Sequence, residues 1–188
     1  MSKMIHKIIT QVQKGAYLIS TVQKFSEINK ENRKIEIIDL TRLMDKLLIQ
    51  FQSRFDGENV HINTAFPNQP VLIKAGDLLY DAFDNLLINA IDHNISDIKQ
   101  VWIEMSFLSE NGKEYCKIEF KDNGIGIPDK NINIFEKSYK HAQSKGMGMG
   151  LTLVKAIIEG YEGKIWVEDR ISGDHTQGSS FIVLLEKA

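Results

Sequence analysis

Between Met1 and Ile28, apolar residues recur at Ile5, Ile8, Ile9, Val12, Ala16, Ile19, Val22 and Phe25, in steps of mostly three and four with no proline among them. This spacing predicts one long amphipathic helix. A lone helix cannot bury its stripe, so the seam needs a partner, and the expected one is a second copy of the chain in a bundle. The polar run Asn29-Lys30-Glu31-Asn32-Arg33-Lys34 follows. It predicts a joint that divides residues 1–33 from residues 34–188.

From Lys34 onward the two periods alternate. A short strand is predicted at Ile35 to Ile38, then a helix from about Thr41 to Phe55 with Leu43, Leu47, Leu48 and Phe51 inward. Strand-like pieces lie near Val60 to Thr64 and Val71 to Lys74. A second amphipathic helix from about Asp77 to His93 buries Leu79, Phe83, Leu86, Leu87, Ala90 and Ile91, with Asp77 as its N-cap. A hairpin comes next, with arms Val101 to Phe107 and Tyr115 to Lys121 around a turn containing Asn111-Gly112. A helix from Gly150 to about Gly160 and strands at Lys164 to Glu168 and Phe181 to Leu185 complete the pattern. Helices mixed with antiparallel strands in this way predict an α+β fold, a two-layer α/β sandwich with helices on one face of a mixed sheet.

Composition narrows the function classes. With 188 residues and 43% of them apolar, the chain can bury a sizeable core, which excludes intrinsic disorder. The 23 basic and 25 acidic residues give a net charge of −2 with no long block of either sign, so no general grip on nucleic acid or anionic lipid is expected. Specificity must lie in a local site. The single Cys116 allows no intrachain disulfide and no thiol zinc site, and no apolar stretch reaches the roughly 18 residues of a membrane span. A cytoplasmic location without direct membrane contact is the expectation.

Three groups of residues carry candidate chemistry. Along the second hairpin arm Cys116, Ile118 and Phe120 share a face, and Asp122 continues on that inward side. A buried carboxylate costs several kcal/mol, roughly, unless it is paired, so Asp122 needs a dedicated donor such as a ligand amino group. In the Asn123-Gly124-Ile125-Gly126-Ile127-Pro128 that follows, two glycines let the backbone turn sharply and approach a flat ligand, although an Asx-type turn closing a strand has the same composition. The second group, Gly146-Met147-Gly148-Met149-Gly150-Leu151, immediately precedes an apolar helix whose N–H groups suit phosphate. Neither the dinucleotide glycine spacing nor a Walker ending is present. The third is Asn85, Asn89 and Asp92, which share one helix face, and an amide oxygen suits Mg²⁺; a solvated polar face is the competing reading.

Taken together and in this order, the segments resemble the GHKL family of ATP-binding domains, and within it the sensor histidine kinases. Asn85-Leu86-Leu87-Ile88-Asn89-Ala90 is similar to the N box, Asp122 to Pro128 to the G1 box, Gly146 to Leu151 to the G2 box, Ile134-Phe135-Glu136 to the F box, and Gly178-Ser179-Ser180-Phe181 to the closing glycine and hydroxyl segment. The resemblance implies a Bergerat-type fold holding ATP and Mg²⁺. Asp122 would meet the adenine amino group, with Gly124, Gly126 and Ile127 alongside and Ser180 at a hydroxyl position near the base. Asn89 would bind the metal and Asn85 would lie beside the phosphates. His93 stands where relatives often place an aromatic ring, and Asp92 where they often have lysine. Residues from about Asp129 to Lys145 would form a lid, with Lys137, Lys140, His141 and Lys145 as phosphate partners, closed by Gly146, Met147, Gly148, Met149, Gly150 and Leu151.

The N-terminal helix resembles the second helix of a dimerisation hairpin, which implies a homodimer and a response-regulator receiver domain as partners. The family's acceptor histidine precedes an acidic residue. Here His6, His61, His93, His141 and His175 precede Lys7, Ile62, Asn94, Ala142 and Thr176. The acceptor is therefore expected upstream of Met1 or on another molecule. A nucleotide-binding module without kinase activity is the alternative, as is a serine kinase of the anti-sigma type, although that class places a glutamate where this chain has Asn85.

Overall fold

The structure is a computed structural model that describes residues 2–28, 34–128, 134–136 and 149–188. It divides into two compact units, Met1–Arg33 and Lys34–Ala188. The first unit is a single helix, α1 (Ser2–Ile28), whose Ile5, Val12, Ile19 and Val22 are half to two-thirds exposed. Ile5, Val12 and Ile19 are seven residues apart and so form a seam along one side.

In the second unit β1 (Glu36–Asp39) pairs antiparallel with β3 (Leu72–Ala75) in a small separate sheet, and α2 (Leu40–Arg54) lies between them in sequence. Asp39 ends β1 and caps α2, its carboxylate accepting from Arg42 N–H at 3.2 Å. The main sheet has the order β2 (Val60–Ala65), β4 (Lys99–Glu110), β5 (Lys113–Asp122), β7 (Asp174–Glu186), β6 (Lys164–Ile171). The β2–β4 pair is parallel and the other pairs are antiparallel, so the sheet is mixed. Asn111 and Gly112 both have positive φ, 53° and 78°, as a two-residue turn between right-twisted strands requires.

Helices α3 (Leu78–Asp92) and α4 (Gly150–Gly160) pack on each other and on one face of the sheet. The core lies between the layers. Phe83 of α3 meets Phe120 of β5 at 5.1 Å between ring centroids, and Leu79, Leu86, Leu87, Ile91, Val154 and Ile158 are fully buried around them. This is the two-layer α+β sandwich expected from the alternation of periods.

Two local expectations are corrected. In α2 the buried positions are Leu40, Met44, Leu47 and Phe51, whereas Leu43 and Leu48 are only half-buried. The adjacent apolar residues Leu43-Met44 and Leu47-Leu48-Ile49 left the face ambiguous by one residue, and the early cap at Asp39 sets it. Asp77 stands at the N-cap position of α3 but makes no side-chain cap bond and is already helical (φ −57°, ψ −31°). Leu79 N–H donates to the Gly76 carbonyl at 3.0 Å, so winding starts before Asp77.

Candidate nucleotide site

The alternation along β5 delivers Asp122 to the helix side of the sheet, where it is 6% exposed. Its Oδ1 accepts from Gly124 N–H at 2.8 Å and from Ser179 N–H at 3.3 Å. Desolvation pushes its carboxyl up to about 6, against the pull of those two backbone donors and of Arg170. One carboxylate oxygen thus carries two structural bonds, and the second remains an acceptor. The ligand-independent half of the pairing was not visible in the strand pattern, because the Ser179 donor comes from β7, 57 residues away.

The glycine segment after Asp122 is shaped by close approach of other backbone. Gly126 has φ +66°, and a Cβ there would lie 1.6 Å from the His175 carbonyl oxygen. Gly178 has φ +105°, and its Cβ would meet the Asp122 carbonyl oxygen at 1.9 Å. Both positions require glycine. The β6–β7 hairpin therefore presses its β7 strand onto the segment, a contact whose sequence signal, Ser172-Gly173 between two strand runs, the reading of the chain passed over.

Asn123, next to Asp122, anchors the segment through its amide. Its Oδ1 accepts from Asn94 Nδ2 at 2.7 Å and from Gln100 N–H at 2.7 Å, while its Nδ2 donates to the Ile98 carbonyl at 3.0 Å. Its own N–H donates to the Gln100 carbonyl and its carbonyl accepts from Ser96 Oγ. Every polar group of Asn123 is committed to the loop between α3 and β4 or to Gln100 at the start of β4. Ile125 N–H donates to the His93 carbonyl at 3.3 Å, which ties the same segment to the end of α3. Asp122, Gly124 and Ser179 are thus held together by bonds and Ile125 is tied to His93, with Gly126 against the His175 carbonyl and half-buried Ile127 following.

On α3, Asn85 donates to the Asp81 carbonyl at 2.7 Å, four residues back. Asn89 is half-buried, and its Nδ2 is buried without a hydrogen-bond partner. An amide held without a partner costs stability and is a group that a ligand satisfies. That unpartnered group is an N–H₂ donor, which suits an acceptor such as a phosphate oxygen, while the oxygen of the same amide is the atom that would suit a divalent cation of the Mg²⁺ kind, which needs no cluster of carboxylates. Among the described residues no such cluster of His, Cys, Asp and Glu exists. Asp92 is exposed and His93 half-buried.

Helix α4 opens at Gly150 after Met149, whose side chain supplies no cap, and in its first turn Thr152 Oγ1 is buried and unpartnered. Met149, Gly150 and Leu151 are half-buried there. Phe135 meets Phe181 of β7 edge to face at 6.4 Å, and Ile134 is buried. Lys137, Lys140, His141, Lys145, Gly146, Met147 and Gly148 lie outside the described residues, as does the joint at residues 29–33.

Ser180 is not brought to Asp122. It pairs with Lys121 and Glu168, whose side chains stand on the sheet face away from the helices, whereas Phe120 and Phe181 face them. The hydroxyl on the Asp122 side belongs to Ser179. A one-residue slip reverses the face of a strand position, and two adjacent serines hide the slip.

The histidine kinase-, DNA gyrase B- and HSP90-like ATPases match residues 75–188, well over half of the chain. This chain belongs to that ATPase family. Cyanobacterial phytochrome B from a Nostoc species is 29% identical over 184 residues, covering 95% of this chain and 23% of that relative. The sensor protein kinase WalK of Staphylococcus saprophyticus is 25% identical over 177 residues, covering 89% and 28%. The chain spans about a quarter of the length of the curated relatives it matches. The histidine kinase AdeS of Acinetobacter baumannii has the same fold with a TM-score of 0.72 at 19% identity, over 97% of this chain and 83% of that one. The mycobacterial sensor histidine kinase MprB superposes with a TM-score of 0.69 at 19% identity, over 82% and 98%. The fold is thus that of histidine kinase catalytic domains.

Proposed function

We propose that this chain is the ATP-binding catalytic part of a two-component sensor histidine kinase, which passes the γ-phosphoryl group of Mg-ATP to a histidine not evident among its own residues. The observation that carries the reading is the buried Asp122, which keeps one acceptor oxygen after its two backbone donors are in place. In the ionised state that oxygen accepts from the adenine amino group, and Gly124, Gly126 and Ile127 line the base with His93 beside it. Adenine is selected because its exocyclic group donates where that of guanine is placed differently.

At the phosphate end Asn89 would hold Mg²⁺, and Asn85 would lie beside the phosphates. Bound Mg²⁺ would supply charge neutralisation on the phosphate oxygens. The first-turn N–H groups of α4 at Gly150 and Leu151, with Met149 before them, are of the kind that suits phosphate, and Lys145, Gly146, Met147 and Gly148, which lie outside the described residues, complete the proposed set. Asp92, which is exposed, lies at the margin of the base. The chain's residues then act by orientation: the base is fixed at Asp122, the triphosphate is drawn along α3 and α4, and the γ-phosphorus is left open to in-line attack by a neutral imidazole nitrogen as ADP departs. Residues 1–33 act as a dimerisation helix and joint, and residues 34–188 as the catalytic domain. The exposed seam of Ile5, Val12 and Ile19 supports pairing with a second copy, and a receiver domain is the onward acceptor in the cytoplasm. Among the described residues no helix is long and apolar enough to cross a membrane.

The test is to incubate the chain with γ-labelled ATP, alone and with a histidine-bearing helical hairpin, and to look for acid-labile label on the hairpin. Label there supports the kinase reading. Absence of label with ADP binding intact leaves a nucleotide-binding regulatory module, the second reading, which is favoured by the lack of an acceptor motif.

A further inference from the structure

We propose that Arg170 is a positioning residue for adenine recognition, a strap that holds one stretch of β7 against the Asp122 segment so that the free carboxylate oxygen is presented to the base. The inference rests on the reading that Asp122 receives the adenine amino group. The register of the β6–β7 pair is the first observation. Asp169 pairs with Ser179 and Ile171 with Asp174, so the single residue Arg170 stands opposite the whole stretch from His175 to Gly178. Such an excess on one strand is a bulge whose backbone has left the ladder. This stretch and the residue after it shape the Asp122 segment. The His175 carbonyl stands where a Cβ on Gly126 would lie, Gly178 closes on the Asp122 carbonyl, and Ser179 N–H donates to Asp122 Oδ1 at 3.3 Å.

A bulge of that size needs restraints of its own, and two are present. Asp174 Oδ1 accepts from Thr176 N–H at 3.0 Å and from the Thr176 hydroxyl at 2.6 Å, which fixes the start of the stretch. Arg170 Nε–H donates to the Gln177 carbonyl at 2.6 Å, which fixes its end beside Gly178. The guanidinium is itself seated, with Cζ 5.1 Å from the centre of the Trp102 ring. Val101 and Ile103 are fully buried toward the helices, so Trp102 between them stands on the other face of the sheet. β5 and β7 lie between β4 and β6, so Arg170 and Trp102 together bridge the sheet behind the Asp122 segment. A cation held on an aromatic face loses little further freedom in making its hydrogen bond.

The arginine also acts through its charge. The elements around Asp122 carry Asp92 and His93 at the end of α3, Lys121 on β5, Asp169 on β6 and His175 on β7. Among these described groups and Arg170, it is Arg170 whose charge favours the ionised carboxylate, the form with an acceptor for the base.

The test is Mg-ADP affinity, measured by calorimetry on the full chain from about pH 5 to 8, for the unaltered protein, Arg170→Ala, Arg170→Lys and Asp122→Ala. Arg170→Ala should bind about tenfold more weakly at pH 7.5, the effect of one charge-assisted hydrogen bond. The pH at which its affinity falls should also move up, because Asp122 then keeps its proton to higher pH. Arg170→Lys keeps the charge and should leave that pH in place, while recovering only part of the affinity because it lacks the planar donor fork. The proposal is overturned if Arg170→Ala binds as the unaltered chain does, or if its affinity falls with no upward move in pH, the result that lost packing alone would give. If Arg170→Ala does not fold, as read by circular dichroism, Trp102→Leu removes the seat and should weaken binding severalfold; unchanged affinity there overturns the proposal. Asp122→Ala separates the two readings. If it binds Mg-ADP normally, the placement of the base at Asp122 fails and the strap with it, whereas if it does not bind and Arg170→Ala is unaffected, the strap alone fails.

Discussion

Asp122 sets the residue-scale behaviour. Its folded carboxyl titrates at about 6 against an ordinary 3.8, so between those values the folded chain holds a proton that the unfolded chain has released. Stability without nucleotide should therefore rise as pH falls from about 6 toward 4, by about 3 kcal/mol from this group. Asp122→Asn keeps an acceptor for Gly124 and Ser179 but removes the buried charge. Its nucleotide-free thermal midpoint should exceed that of the unaltered chain at pH 7.5 and converge with it near pH 4.5; parallel curves would refute the assignment. Nucleotide affinity runs the other way and should fall as pH drops through 6, because a protonated Asp122 competes for its own acceptor oxygen.

Parity along β5 made the inward direction of Asp122 legible in the sequence, since Cys116, Ile118 and Phe120 mark the face. The same argument could not separate Ser179 from Ser180. Two identical neighbours carry no periodic signal, and only the pairing of Ser180 with Lys121 assigns the faces.

At the scale of elements, the clamp around Asn123 joins the α3–β4 loop to the end of β5. Asn123→Ala removes three side-chain hydrogen bonds and should cost about 3 kcal/mol in urea denaturation, at roughly 1 kcal/mol for each. A loss below about 1 kcal/mol would show that the loop holds without it. Gly126→Ala should be far worse than Gly57→Ala. Both have positive φ, but a Cβ on Gly57 meets nothing within 4 Å while that on Gly126 meets the His175 carbonyl oxygen. Expected losses are about 1–2 kcal/mol at Gly57 from the left-handed backbone alone, and a failure to fold or several kcal/mol, roughly, at Gly126.

In α2, Met44→Ala should cost about 2–5 kcal/mol, and Leu48→Ala clearly less because Leu48 is half-buried. Most element types and orders followed from hydrophobic period, because long helices and alternating arms repeat their signal many times. The face of α2 and the cap of α3 did not. Each depended on one carboxylate, and it is Asp39 that bonds Arg42 N–H while Asp77 is already wound into its helix.

For the whole molecule, the ATPase family assignment over residues 75–188 and the two-layer fold give the frame. A site that holds its ligand only in the folded state couples occupancy to stability, by about 2.7 kcal/mol at a hundredfold excess over the dissociation constant. Asn89→Ala should weaken Mg²⁺-dependent nucleotide binding more than binding measured in a chelator; equal effects would remove the metal from Asn89. The order of the motifs along the chain was legible, whereas the bonds that tie the Asp122 segment to β7 and to the α3–β4 loop were not, because their partners are distant in sequence.

The most direct measurement is the thermal midpoint of the unaltered chain and of Asp122→Ala, each with and without saturating Mg-ADP at pH 7.5. The account predicts a clear rise for the unaltered chain and none for Asp122→Ala, which still melts cooperatively without nucleotide. An equal rise in both would place the nucleotide elsewhere and contradict it.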